Sequence, residues 1–514
     1  MPNSEQATEQ ADKKRTQRGE VAPGIKKSRW EAKTKSTPVK PDSLYKNRTK
    51  IFPKRVKGTF RRLKWIALFL MLGIYYFIPF LRWDRGPDAP SQAVLIDFEN
   101  ARFYFFFIEI WPQEVYYITG LLILAAVGLF LASALFGRLW CGFACPQTIW
   151  TDLFIAVERF FEGDRNARIK LEKSKWTAAK IYKKTAKHIV WLFIAFATGG
   201  AWILYFHDAF DVMAHFFTGG SPMTAYVFVA ILTFTTYALA GFMREQICIY
   251  MCPWPRIQAA MTDEEALNVT YRHDRGEPRG PHKKGATWEG RGDCIDCAQC
   301  IAVCPTGIDI RKGLQLECIG CSLCIDACNE IMVKIGRPKG LIAFDTGINI
   351  KRRQDGKPSA YHLIRARTVA YALIMVAVGS VMLYGLSHRS VLDMNVLRDR
   401  IPNYVTLSDG SVRNGYTVKV LNKQAKPLTI EIEAVDLIDD IDGLSIFIVG
   451  QTHHAPPIIL TVPANETINY KLYLAIKDVS PLSDREDFVF RITDVSDKTN
   501  AQTTPSVFVT GKDE

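Results

Sequence analysis

Long apolar runs alternate with strongly charged stretches along the chain of 514 residues. A bilayer-spanning helix needs about 20 predominantly apolar residues. The runs that approach or reach this length are Leu63 to Leu81, Val115 to Phe136, His188 to Phe206, Ala225 to Met243 and Thr368 to Leu386, which predicts five spans. The first is the shortest and carries Pro79 near its end. Phe103 to Ile110 is too short to span and is interrupted by Glu109, so it is expected at the membrane interface. Gln147 to Phe161 has an apolar face that also carries Asp152 and Glu158, and the same interfacial position is expected for it. After Leu386 the period changes. Tyr416 to Asn422, Leu428 to Val435, Leu444 to Val449, Pro457 to Val462, Thr467 to Ile476 and Phe488 to Thr493 alternate as strands do. Turn pairs such as Asp409-Gly410, Asn414-Gly415 and Asp442-Gly443 stand between such runs. An antiparallel β-sandwich of about 100 residues, immunoglobulin-like in size, is expected there.

Charge orients these elements. The net charge is +13, but the basic residues cluster beside the apolar runs, which argues for membrane topology and against nucleic acid. Residues 1–64 hold 19 Lys and Arg, residues 158–187 hold 10 and residues 244–367 hold 19. The loop 82–114 holds three and the loop 207–224 none. The positive-inside rule then puts the N-terminus in the cytoplasm and, after five spans, the C-terminal domain in the periplasm of a bacterial inner membrane. Residues 1–44 are polar and Lys/Arg-rich without an early apolar core, which predicts a disordered basic tail and no signal peptide.

All twelve cysteines lie between Cys141 and Cys328, on the side assigned to the cytoplasm. A reducing compartment and this concentration favour metal binding over a disulfide framework. CIDCAQCIAVCP, from Cys294 to Pro305, and CIGCSLCIDAC, from Cys318 to Cys328, each read C-x2-C-x2-C-x3-C. Three closely spaced thiolates wrap one cubane and the fourth reaches the other cluster. Cys294, Cys297, Cys300 and Cys328 are therefore expected on one [4Fe–4S] cluster, and Cys304, Cys318, Cys321 and Cys324 on the second. Zinc is the competing reading, but it commonly needs four ligands, whereas two matched runs supply eight. Pro305 closes the first run as in the bacterial pattern; Asn329 stands at that place in the second.

Two further motifs, CGFACP from Cys141 to Pro146 and CIYMCP from Cys248 to Pro253, follow the second and fourth spans. Both fall at the cytoplasmic membrane face, where they can approach each other. Proline favours the first position of a helix, so Cys145 and Cys252 are expected as caps, where thiolate is stabilised. Soft thiolates select Cu(I). Cys141, Cys145, Cys248 and Cys252 thus suggest a copper or redox-thiol site, with Met251 as an auxiliary soft ligand. Buried packing of small residues, a third cluster and a haem are the competing readings, and the c-type haem signature C-x2-C-H is absent. His188, His207 and His215 are expected to pack or hydrogen-bond, and His453-His454 to lie exposed in a loop.

The whole reads as a multi-domain chain: an α-helical membrane bundle of five spans, an inserted dicluster ferredoxin-like module and a C-terminal immunoglobulin-like β-sandwich. The expected boundaries are 1–44 for the tail, 45–260 for four spans with both C-x3-C-P motifs, 261–350 for the cluster module, 351–390 for the fifth span and 391–514 for the sandwich.

GRLWCGFACPQTIWTDLF, REQICIYMCPWPRIQAAM and the paired cluster runs together resemble the cytochrome c oxidase accessory protein family called CcoG, FixG or RdxA. The order of spans, cluster module and sandwich matches as well, over nearly everything after residue 44. The resemblance implies a role in maturation of cbb3-type oxidase and reduction of Cu(II) to Cu(I). It carries the redox cysteines over to Cys141, Cys145, Cys248 and Cys252, beside the eight cluster ligands, with no departure at any of the twelve. The expected function is cupric reduction, with copper as substrate, a cytoplasmic electron donor, and the oxidase or a copper chaperone as recipient. Membrane lipid is the expected surroundings, no nucleic acid is expected, and self-association is left open. The rivals are a copper-independent electron conduit to quinone or a partner protein, and an assembly scaffold with structural clusters.

Overall fold

The computed structural model describes residues 50–511 except 87–88, 283–284, 286, 425, 436–443 and 450–456. The expected tail, the Asp442-Gly443 turn and the His453-His454 loop lie outside the described residues.

Among the described residues five helices are long and apolar enough to cross a membrane: Thr59–Phe80, Pro112–Phe136, Ala178–Ile203, Met223–Met243 and Ala366–Ser387. Each contains most of one expected span. The third begins at Ala178 rather than His188, because a lysine-rich turn extends the helix and Lys187 pairs with Glu162 at 2.8 Å. Large apolar side chains such as Phe69, Leu122, Phe193 and Val376 are exposed on these helices. Apolar surface on that scale calls for a lipid surrounding.

Contacts divide the chain into two compact units, each assembled from three stretches. The first takes in the described chain up to Leu70, then Phe130–Leu192 and Tyr237–Thr368. It contains all twelve cysteines. Its core joins the cluster-module helices Gln299–Val303 and Leu323–Lys334 to a two-stranded sheet, Asn268–Tyr271 with Ile342–Asp345. The helix Pro146–Glu162 is buried along the face that carries Asp152 and Glu158. The two carboxylates on the apolar face of Gln147 to Phe161 are neutralised by cations from other segments rather than wetted. Asp152 takes both oxygens to Arg61 at 2.8 Å, and Glu158 meets Arg168 at 3.0 Å and Arg244 at 2.9 Å. Burial pushes the Asp152 carboxyl up, but Lys64 and Arg61 outweigh it and hold the group below the usual carboxylate range.

The second unit comprises Met71–Leu129, Phe193–Thr236 and Val369–Glu514. Phe103 to Ile110, expected at the membrane interface, is part of a small sheet. Val94–Asp97, Arg102–Phe105 and Ile108–Ile110 form a three-stranded antiparallel sheet, because the aromatic alternation can pair locally across tight turns. Gly120 and Gly128 let the second span approach Met382 and Met375 of the fifth, the small-residue packing common between membrane helices. The C-terminal domain is a two-sheet antiparallel sandwich. One sheet is ordered Leu444–Ile448, Thr467–Ile476, Val412–Asn422 and Leu392–Arg398, with Val405–Thr406 also on Val412–Asn422. The other is ordered Ile458–Val462, Leu428–Val435, Arg485–Asp494 and Ala501–Val509. Without a cysteine, its core is locked by Tyr416, fully buried against Phe488 and Phe490, with its hydroxyl donating to the Val507 carbonyl at 2.9 Å.

Candidate metal and redox centre

The eight cysteines of the paired runs separate into two groups. Among the thiol neighbours that act on Cys328 are Cys300, Cys294 and Cys297, although Cys328 is the last cysteine of the other run. Cys324 is influenced by Cys321, Cys318 and Cys304, and more weakly by Cys300. The helix Leu323–Lys334 produces this exchange. It carries Cys324 and Cys328 four residues apart, one toward each group. Ala298 and Ser322 adopt left-handed backbone at the starts of the two short helices, so each run turns sharply between its second and third cysteines. As free thiols Cys328 and Cys321 hold their protons: burial, the largest cause, pushes both up to about 12. Iron would replace those protons, since a metal-bound cysteine is thiolate. Eight soft donors in two sets of four suit two cubane clusters in kind and number, and Cys294, Cys300 and Cys321 among them are buried. Cys297 is the exposed member of its group, whereas Cys321 is buried.

The C-x3-C-P cysteines come together as a third group. Cys145, Cys248 and Cys252 all act on Cys141, whose thiol is raised to about 12, chiefly by burial. Cys248 is raised to about 11 by burial, then by Cys145 and Cys252. The two motifs share one backbone device. The Cys145 amide donates to the Trp140 carbonyl at 2.9 Å and the Cys252 amide to the Ile247 carbonyl at 2.8 Å, each spanning five residues as in a π-turn. Such widened turns recur at functional sites. Cys145 then caps the helix Pro146–Glu162, as expected. In the second motif Pro253, not Cys252, is the cap of Trp254–Met261, because Pro255 occupies the first turn. Cys141 donates its S–H to Gln258 Oε1 at 3.3 Å, and Gln258 is fully buried. Gln147 ties the first motif to the approach of the second through the Leu239 and Arg244 carbonyls at 3.1 and 3.3 Å. Among the described residues no three His, Cys, Asp or Glu side chains are close enough to hold a single metal ion. More than two of these thiols can share one ion only after side-chain rotation. Met251 is exposed. His188 packs on Phe242 and meets the Tyr237 hydroxyl at 3.0 Å, which is the packing role expected of it.

The third group abuts the second. Cys141, Ile319, Cys321 and Leu323 share one apolar cluster with Cys248 and Trp254. A methyl group at Gly142 would stand 2.6 Å from the Gly320 carbonyl oxygen and 3.0 Å from the Cys321 Cα, so the two backbones touch.

Known proteins resemble this chain over most of its length. Protein RdxB of Cereibacter sphaeroides is 50% identical over 448 residues, 86% of this chain and 92% of its own. The chain belongs to the FixG/RdxA/RdxB family. Nitrogen fixation protein FixG of Rhizobium meliloti (strain 1021) is 52% identical over 417 residues, 76% of this chain and 80% of its own. Protein RdxA of Cereibacter sphaeroides is 49% identical over 436 residues, 84% and 90% respectively. A 4Fe-4S dicluster domain model matches residues 243–347, a 4Fe-4S binding domain model residues 118–163, and a model of the IG-like fold at the C-terminal of FixG residues 382–511. The FixG-family chain is thus a membrane iron–sulfur electron-transfer protein with an immunoglobulin-like domain. Sequence reasoning missed Arg138, Gln258 and Gln147, which tie the groups together. Their only signal was polarity within or beside apolar motifs.

Proposed function

We propose that this FixG-family protein reduces Cu(II) to Cu(I) at Cys141, Cys145, Cys248 and Cys252 for assembly of a cbb3-type oxidase. Cys294, Cys297, Cys300 and Cys328 hold one [4Fe–4S] cluster, and Cys304, Cys318, Cys321 and Cys324 the other. The clusters supply one-electron storage. The observation that carries the reading is the backbone contact of Gly142 with Gly320 and Cys321, which sets the Cys321 backbone directly against the helix that carries Cys141. Cys297 offers an exposed edge where a cytoplasmic reductant can dock. Cys141 and Cys248 hold protons until the soft ion arrives, and each thiol that binds it releases one. The substrate Cu(II) takes up one electron and leaves as Cu(I) for a chaperone or for the oxidase. The N-terminus and the cysteines face the cytoplasm of a bacterial inner membrane and the sandwich faces the periplasm, in keeping with the distribution of basic residues.

A rival has its own footing. The 4Fe-4S binding domain model on residues 118–163 covers only Cys141 and Cys145 among the cysteines, which suits iron rather than copper on the third group. One experiment separates the two. With all four C-x3-C-P cysteines replaced by Ser, copper chemistry predicts about eight irons per chain as in the wild type. It also predicts that Cu(II) no longer oxidises the dithionite-reduced protein in stopped flow. Unchanged oxidation with full iron excludes these cysteines as the copper site. Loss of iron favours the rival.

A further inference from the structure

We infer that Arg138 is a positioning residue: it fastens the cysteine loop before Cys318 to both C-x3-C-P motifs and directs an unneutralised charge at that junction. The inference rests on the electron-transfer reading above but not on copper. Arg138 stands three residues before Cys141 and caps the short helix Leu139–Phe143. Its Nη1 donates to the carbonyls of Gln315 at 3.1 Å and Cys318 at 2.6 Å, and also to that of Leu316. Its Nη2 reaches the carbonyl of Pro255, just after the second motif, at 3.4 Å. One guanidinium therefore ties two segments remote in sequence, 315–318 and Pro255, to its own. Its own carbonyl closes the contact from below. A methyl at Gly320 would stand 2.8 Å from that oxygen, and Gly320 has φ +68, so both space and backbone demand glycine.

The charge is as telling as the bonds. Among the described residues no carboxylate pairs with Arg138. Its guanidinium is committed to backbone carbonyls alone, among them that of the cluster cysteine Cys318 at 2.6 Å, and it lies three residues before Cys141. A cluster gains one negative charge on reduction, and a fixed cation beside its ligands stabilises the reduced form. Arginine suits this role because its planar fork makes several directed bonds and does not lose its charge. A cavity of about 190 Å³ lined by Arg138, Gln315, Leu316 and Cys318 flanks the junction.

The test compares Arg138→Lys and Arg138→Gln in the full, anaerobically loaded protein. Iron content, EPR-monitored redox titration and hydrogen exchange of the 314–320 segment are measured on each. Arg138→Gln should shift one cluster midpoint to a more negative potential and leave the other in place. Arg138→Lys keeps the charge, so both midpoints should stay near wild type. Both variants should speed exchange in 314–320 by about ten-fold or more, the scale set by losing charge-assisted hydrogen bonds. A glutamine variant with full iron, unmoved midpoints and unchanged loop exchange overturns the inference. If the glutamine variant loses iron, the lysine variant decides: faster loop exchange at full iron supports the role, and unchanged exchange overturns it. Failure of the copper reading alone leaves these midpoints and exchange rates as stated, because neither measurement contains copper.

Discussion

Glu158 is the residue whose loss should loosen the second C-x3-C-P motif without touching a cysteine. It is 1% exposed and bonds Arg244 at 2.9 Å and Arg168 at 3.0 Å, with Lys187 at 3.7 Å. Arg244 opens the segment leading to Cys248 and has a left-handed backbone, with φ 39. Replacing Glu158 by Gln keeps the shape and removes the charge. Lys187 keeps Glu162 at 2.8 Å. Arg168 is left with the Pro53 carbonyl and Arg244 with the Gly241 carbonyl, so two buried cations lose their carboxylate. Breaking a buried pair costs about 3–5 kcal/mol. The retained carbonyl bonds point to the lower end, about 3 kcal/mol, which is about a hundred-fold in a local opening equilibrium. Hydrogen exchange across residues 244–252 should rise by that factor. Burial pushes the Glu158 carboxyl up, but Arg244, Arg168 and Lys187 outweigh it and leave the group below its usual value. A depressed pKa means that the contribution is complete above the unfolded value of about 4.3 and fades only as pH falls through the folded one. The difference between wild type and variant should therefore be constant from about pH 5 to pH 8 and shrink in acid. Exchange within about three-fold of wild type, less than 1 kcal/mol, would refute the claim that this network holds the motif.

Three other outcomes are expected. A reporter near Lys283 should read as cytoplasmic and one after Glu514 as periplasmic; both on one side would break the five-span topology. In metal-free protein, iodoacetamide should modify Cys141 and Cys248 slowly at pH 8 and accelerate toward pH 11, because burial raises them to about 12 and about 11; saturation near pH 8.5, as for an ordinary thiol, would show them solvated. Asn414, fully buried, exchanges hydrogen bonds with the Val509 carbonyl and amide at 2.8 and 3.1 Å, so Asn414→Ala should lower sandwich stability. The expected loss is about 2 kcal/mol, read by thermal unfolding, and a loss under about 0.5 kcal/mol would contradict it.

The spans were legible because hydropathy needs no tertiary information, and the cluster runs because their spacing is itself the ligand geometry. Leu428–Val435 and Thr467–Ile476 appear with the bounds their alternation predicts. Ala501–Val509 escaped notice because it is an edge strand rich in Thr and Gln, with Pro505 inside it; proline is tolerated at an edge, where no ladder bond is owed on one side. Val94–Asp97 and its partners escaped because strands of three and four residues leave too little pattern to read. The site was half legible. That four C-x3-C-P cysteines could meet followed from topology. That the Cys321 backbone would touch Gly142 did not, because the contact depends on a glycine at each side and on a loop drawn in by Arg138. Asp152 and Glu158 were seen, but not their partners. The cations that neutralise them, Arg61, Arg168 and Arg244, come from other segments, and no sequence pattern announces such pairs.

Those same contacts bind the cluster module to the membrane helices more closely than the linear domain boundaries suggest. Asp326 lies between Cys324 and Cys328, and its carboxylate accepts the Arg61 amide at 2.8 Å and the Phe60 amide at 3.3 Å. It thus caps the first membrane helix from the helix that carries two cluster cysteines. A methyl at Gly58 would stand 2.2 Å from the Asp326 carboxyl carbon, so the cap fits without a spare ångström. Arg61, held by that cap, completes the Asp152 pair on the helix that follows Cys145. The same helix bears Glu158, which fixes Arg244 ahead of Cys248. Asp326, Arg61, Asp152, Glu158 and Arg244 therefore link the helix of Cys324 and Cys328, the first span, the helix after Cys145 and the segment before Cys248. Electron transfer demands fixed distances, and a chain of charged, desolvated pairs supplies them because a broken pair costs far more in the interior than at the surface.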